Sequence, residues 1–227
     1  MDITRSLTYP TRDAQWPLKI GVGAVASLLS ILMIGTLFTT GYCMRVMRSV
    51  AANEEADLPD WNDLGSMLVQ GLLGVVASLL YFAIPGALLA FGAGSILMGL
   101  FSAVSRESAS PFAMGAGIGG ILAVAGGLLF LLILFVWPMM LLRIAVTGSL
   151  GAAFDFGAIL GGIMKALLEY VSILAVTLGL GLVLGFLLNM IPVAGTILFV
   201  AVSFYLNVAA SHMLGSLYRT RLDTPTL

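Results

Sequence analysis

Residues 170–218 read YVSILAVTLGLGLVLGFLLNMIPVAGTILFVAVSFYLNVAASHMLGSLY, 49 positions without one formally charged side chain other than the lone histidine. As a single helix this stretch would extend ~74 Å, against an apolar bilayer core of about 30 Å, so it must hold two helices. The natural break is Asn189-Met190-Ile191-Pro192, where proline removes a backbone donor and disfavours helix at the residue before it. Helices over about 166–189 and 192–217 are expected to form a hairpin.

Three further runs lack charge: 20–44, 64–105 and 108–142. A charge at the centre of a membrane span costs roughly 2.5–3.5 kcal/mol on insertion scales, so such exclusion reflects a solvent that rejects ions. Composition agrees, with 60% hydrophobic residues, 9% charged residues and 27 glycines, a residue more frequent in membrane helices than in soluble ones. The expected fold class is all-α, a polytopic integral membrane bundle of one domain. The one cysteine, Cys43, excludes an internal disulfide, and a net charge of −1 gives no sign of a nucleic-acid partner. Near the amino terminus Arg5, Arg12 and Lys19 are mixed with Asp2 and Asp13, and the apolar run that follows is long for a signal core, so the first segment is expected to be retained.

The sequence predicts about six hydrophobic helices: four full spans plus a short N-terminal hairpin, or six spans. The segments are a hairpin over 17–50, an acidic loop over 51–65, one or two spans over 66–104, a span over 112–142, an interfacial helix over 148–165 and the hairpin over 166–217. The second segment is either one long helix kinked at Pro85-Gly86 or two short spans turning there. Ile31, Gly35 and Thr36 match Ile191, Gly195 and Thr196 at a constant offset, which makes residues 31–36 a second turn. Cytoplasmic loops collect Lys and Arg. If the first run is a hairpin and the second crosses once, nine basic residues lie inside and only Arg106 outside; if the first crosses once and the second twice, the split is seven to three. The larger asymmetry is preferred. Both arrangements put the N and C termini in the cytoplasm of a multi-pass cell-membrane protein, and the first sets Trp16, Trp61 and Trp137 near the cytoplasmic headgroups.

Few residues carry chemistry. Glu54, Glu55, Asp57, Asp60 and Asp63 form the acidic cluster, with Trp61 as a surface anchor. Their spacing lacks the alternating ligands, central glycine and terminal glutamate of a calcium loop, so a partner-contact surface is expected rather than a metal site. His212 is the only histidine and has no acidic or Cys partner in its own helix, so a neutral ring bonded to a neighbouring helix is expected. Asn189 and Asn207 read as intramembrane polar glue. Glycines four apart (115 and 119, 157 and 161, 181 and 185) are no more frequent than chance gives. No base, nucleophile and partner set converges at depth, so neither enzymatic activity nor a cofactor is expected.

Several segments, in order, resemble a prokaryotic membrane family known as domain of unknown function 4013. They are Tyr9-Pro10 with Asp13 and Trp16, Gly41-Tyr42 with Arg45, Leu58-Pro59-Asp60-Trp61, residues 148–156 (GSLGAAFDF), Ile191-Pro192, and Ser211-His212 leading to Tyr218-Arg219. The Leu-Pro-x-Trp and Ala-Phe-Asp-Phe pieces are the specific ones; the family pattern has proline where this chain has Leu32. The resemblance implies a multi-span membrane protein and supplies no activity or catalytic residue. Two functions follow: a scaffold or accessory subunit contacting lipid and other membrane proteins, or a small-solute or ion transporter or channel, whose signature is broken helices around mid-depth polar groups.

Overall fold

The computed structural model describes residues 3–29, 34–52, 58–104, 111–191 and 194–222, and all their regular structure is helical. In chain order the α-helices are α1 (Ile3–Leu7), α2 (Trp16–Leu28), α3 (Ile34–Ala51), α4 (Leu64–Val104), α5 (Pro111–Thr147), α6 (Phe156–Lys165), α7 (Leu167–Asn189) and α8 (Ala194–Leu217), with 3₁₀ turns at Pro10–Arg12 and Leu150–Phe154 and a π-helical end at Tyr218–Leu222. Among the described residues four stretches are long and apolar enough to cross a membrane: Leu64–Phe101, Gly117–Thr147, Leu167–Asn189 and Ala194–Leu222. α2 and α6 are apolar but too short to do so.

The chain divides into two compact units, Val76–Trp137 and the remainder, with the division falling inside α4 and α5. α4 continues through Pro85-Gly86 as one helix and makes no hairpin there. Helices tolerate an internal proline in membranes because neighbouring side chains re-satisfy the freed carbonyl. α5 likewise includes Pro138 and extends to Thr147, beyond the expected end near 142. There Gly148, at φ 68°, donates its N–H to the Ile144 carbonyl at 2.8 Å, a left-handed cap that suits glycine. Within the smaller unit Trp137 Nε1 donates to Ser78 Oγ at 2.8 Å, and Phe82 packs against Phe130.

In the larger unit α8 is the central post, packed against α1, α2, α3 and α7. Its buried residues include Phe204, Val208, His212 and Met213. The core around them joins Tyr9, Ile20, Tyr42, Val46, Leu58 and Met67. The backbones of α3 and α4 meet at glycine: a Cβ on Gly41 would run into the Met67 carbonyl, and one on Gly71 into the Leu37 carbonyl. Small residues permit such an approach where apolar lipid offers no driving force of its own. α2–α3 and α7–α8 pack as consecutive helix pairs; of the suspected repeat, Gly35 and Thr36 already lie in the first turn of α3, so residues 34–36 of the expected turn are helical, Gly195 and Thr196 open α8, and Ile31 lies outside the described residues.

Before α6 the chain makes a 3₁₀ turn rather than helix from 148. Ser149 accepts from the Gly151 N–H at 3.2 Å, and Asp155 caps α6 by accepting from the Ala158 N–H at 3.0 Å. α6 buries Ile159 and Ile163 and exposes Phe156, Leu160 and Met164 on the other side.

Candidate functional site

The chemistry of the larger unit gathers where the start of α2 meets the segment 58–63. Asp13 lies just before α2, and its Oδ1 accepts from the Gln15 N–H at 2.6 Å, which turns the chain into the helix. Lys19, in the first turn of α2, reaches back. Its ammonium donates to Asp13 Oδ2 at 2.6 Å and to the Leu58 carbonyl at 2.7 Å, and lies 2.8 Å from Asp60 Oδ1. Asp13 and Lys19 are only 5% and 8% exposed. Such a pair endures out of water because both charges are also hydrogen-bonded.

Burial works to raise the Asp13 carboxyl, but hydrogen bonds from Lys19 and Gln15 and the charge of Lys19 outweigh it and hold the group below its ordinary value. Burial works to lower Lys19, and its bonds to Asp13 and Asp60 outweigh that, so the ammonium is held above its ordinary value.

A second cation holds the far side of the segment. Arg45 of α3 donates to the Asp60 carbonyl at 3.2 Å, to Asp63 Oδ2 at 2.9 Å and to Ser66 Oγ at 2.7 Å. Asp63 in turn caps α4: hydrogen bonds from the Ser66 hydroxyl and N–H, followed by the Arg45 charge, hold its carboxyl low. Between the two cations Trp61 inserts, half-buried. Its indole N–H donates to the Lys19 carbonyl at 3.0 Å, and its ring stacks on Tyr42 with centroids 4.5 Å apart. Leu58 is buried beneath. Thus 58–63 folds inward through its backbone and Trp61, while the outer edges of Asp60 and Asp63 remain accessible, at 60% and 57% of their side chains.

Glu54, Glu55 and Asp57 lie outside the described residues. Among the described residues no three His, Cys, Asp or Glu side chains come together as a metal cluster. His212 is buried on α8; its Nδ1 lies 3.0 Å from Ser6 Oγ of α1, and Tyr9 packs on the ring at 4.2 Å. Tyr205 donates to the Leu7 carbonyl at 2.6 Å, so both residues fasten the amino-terminal turn to α8. Asn189 donates to the Gly185 carbonyl of its own helix at 2.7 Å, and Asn207 is exposed on α8. Arg143 pairs with Asp155 at 3.6 Å, and Arg221 pairs with Glu169.

Lys19, Asp13 and Tyr42 were absent from the residues singled out for function. The available signal was positional: Tyr9, Asp13, Tyr42, Arg45 and Leu58–Trp61, quoted separately for the family resemblance, form one contiguous cluster in space.

Among the described residues, four helices long and apolar enough to cross a membrane mark the class, a helical membrane protein. A family described as protein of unknown function (DUF4013) matches residues 25–193, and the chain belongs to it. The segments Tyr9–Trp16 and Ser211–Arg219 fall outside the matched stretch. No curated protein and no solved structure matches the chain.

Proposed function

We propose that this protein is a non-enzymatic scaffold or accessory subunit of a complex in the cell membrane, with both termini and residues 51–65 in the cytoplasm. The observation that carries the reading is how its charges are used. The two buried ions, Asp13 and Lys19, bind each other and a neighbouring loop, and the charged residues of the four spans, Arg143, Glu169, Arg219 and Arg221, lie within four positions of a span's end. A transport pathway instead needs polar groups converging at mid-depth. Every basic residue except Arg106 belongs to the larger unit, and among the described residues Lys19, Arg45, Arg143 and Arg221 pair with carboxylates at its loops and helix ends, which supports a single cytoplasmic polar layer.

In this reading α6 lies in the plane of the interface. Its ten residues reach only about 15 Å, and Phe156, Leu160 and Met164 continue toward exposed Leu168 of α7. The outward edges of Asp60 and Asp63 contact other membrane proteins.

Purification from native membranes after mild cross-linking, together with reconstitution into liposomes, tests this function. The expected result is a stoichiometric membrane partner and no solute or proton flux. Flux that His212→Gln alone abolishes, without loss of fold, establishes the transporter instead.

A further inference from the structure

α7 fixes the depth of the chain before it. Its 23 residues reach about 35 Å, little more than an apolar core of about 30 Å, so Leu167 lies at the edge of the hydrocarbon. Both ends of α6 are held at that level: Lys165 ends the helix two residues before Leu167, and Asp155, which caps its start, pairs with Arg143 near the end of α5. α6 therefore runs along the membrane surface. It buries Ile159, Gly162 and Ile163, with Gly162 facing Met139 of α5 and Leu222. Its other side carries Phe156, Leu160 and Met164, which are 54%, 51% and 71% exposed, and Leu168, 81% exposed, continues them. An apolar stripe at that depth is covered by acyl chains.

Two cations stand at the ends of the stripe with donors still open. Arg143 lies 3.6 Å from Asp155, beyond hydrogen-bond length, and its side chain makes no hydrogen bond among the described residues. Lys165 is exposed and has neither an ion pair nor a hydrogen bond among the described residues. At about 100° per residue it flanks the apolar stripe, and Gly161 leaves open space between the two. Such side chains lay their stems along apolar surface and carry their charge to the headgroup layer. A headgroup of net negative charge complements them, whereas a zwitterionic one sets its own cation against Lys165. We propose that α6, with Arg143 and Lys165 at its ends, forms a binding site for anionic phospholipid in the leaflet it borders. The two cations donate to the lipid phosphates, while Phe156, Leu160 and Met164 pack against the acyl chains. The site rests on the in-plane placement of α6, and on neither the accessory role nor the side of the membrane this face occupies.

The test uses the full chain in a Cys43→Ser background with a fluorophore on Leu160→Cys, reconstituted in liposomes of phosphatidylcholine and phosphatidylglycerol. One lipid or the other is brominated high on its acyl chain, so that quenching reports which of them lies against α6. Brominated phosphatidylglycerol is expected to compete for the label at least about fivefold better than brominated phosphatidylcholine. Lys165→Gln lowers that preference about fivefold, the scale of one cation at an anionic surface, while Lys165→Arg keeps it and added salt weakens it. A label on Leu182→Cys, exposed in mid-α7, shows no preference. Because Lys165 is exposed and unpaired among the described residues, circular dichroism of Lys165→Gln stays unchanged. Equal quenching by both lipids at Leu160→Cys leaves α6 in the interface and overturns the anionic site. So does a preference that survives Lys165→Gln and Arg143→Gln together. Absence of quenching by either lipid overturns the in-plane placement as well, and assigns the stripe to water, a second copy or another protein.

Discussion

The indole of Trp61 lies almost parallel to the ring of Tyr42, 13° between planes and 4.5 Å between centroids, and so locks the loop before α4 onto α3. The stack joins residues from separate elements, and its partners Lys19 and Arg45 flank it with charge. Offset aromatic pairs contribute about 0.5–1.5 kcal/mol beyond the area they bury. Trp61→Ala should therefore lower stability by about 2–3 kcal/mol, part of the cost of truncating a buried aromatic, read as thermal unfolding in detergent. Tyr42→Phe should leave stability unchanged or raise it by up to ~1 kcal/mol, because it keeps the stack and removes a buried hydroxyl that has no hydrogen-bond partner among the described residues.

Lys19→Met should destabilise by about 3–5 kcal/mol, since it leaves the Asp13 carboxylate buried and unpaired. Adding Asp13→Leu should recover most of that loss, because an apolar pair replaces an ion pair at little cost. A double-mutant cycle by chemical denaturation gives the coupling directly.

The same pair sets a pH profile. Asp13 and Asp63 have folded values below their unfolded ones, so their stabilisation is complete above the unfolded value near 4 and is lost as pH falls through the folded values. Lys19 is raised, so its contribution is complete below the unfolded value near 10.4 and is lost as pH rises through the folded value. Melting temperature should be flat between about pH 5 and 9 and fall on both sides, and Lys19→Met with Asp13→Leu should flatten the alkaline limb.

Gly71→Ala should disrupt the α3–α4 contact, because its Cβ meets the Leu37 carbonyl, a backbone atom that cannot rotate away. A loss at or above the usual 1–3 kcal/mol of overpacking is expected, while Gly181→Ala, which points into open space, should be neutral. Parallel thermal melts of the two variants check the contrast.

Where apolar length decided the outcome, the sequence was readable. Residues 170–218 had to form two helices, and α7 and α8 occupy them, whereas α5 runs past the expected end near 142 to its cap at Gly148. Pro85 was ambiguous because proline breaks a helix in water yet is accommodated within one in lipid, and one-dimensional hydropathy carries no information about which neighbour re-satisfies the carbonyl. The Lys19 tether was hidden for a related reason. Thirty-nine residues separate Lys19 from Leu58, and nothing in either segment alone encodes that a lysine at the edge of an apolar helix will turn inward to a carbonyl. His212 was expected to bond a neighbouring helix; the neighbour is α1, which at five residues is too short for a hydropathy window to register.

The central claim is that the charged layer of the larger unit, with its tethered loop, faces the cytoplasm. Single cysteines at Asn53, Thr224 and Ser108 in a Cys43→Ser chain, probed with an impermeant maleimide on intact cells, test it directly. The account predicts labelling of Ser108→Cys from outside, with Asn53→Cys and Thr224→Cys reacting only after the cells are opened. Labelling of Asn53→Cys in intact cells would contradict it, because the acidic loop and its tethers would then lie on the outer face.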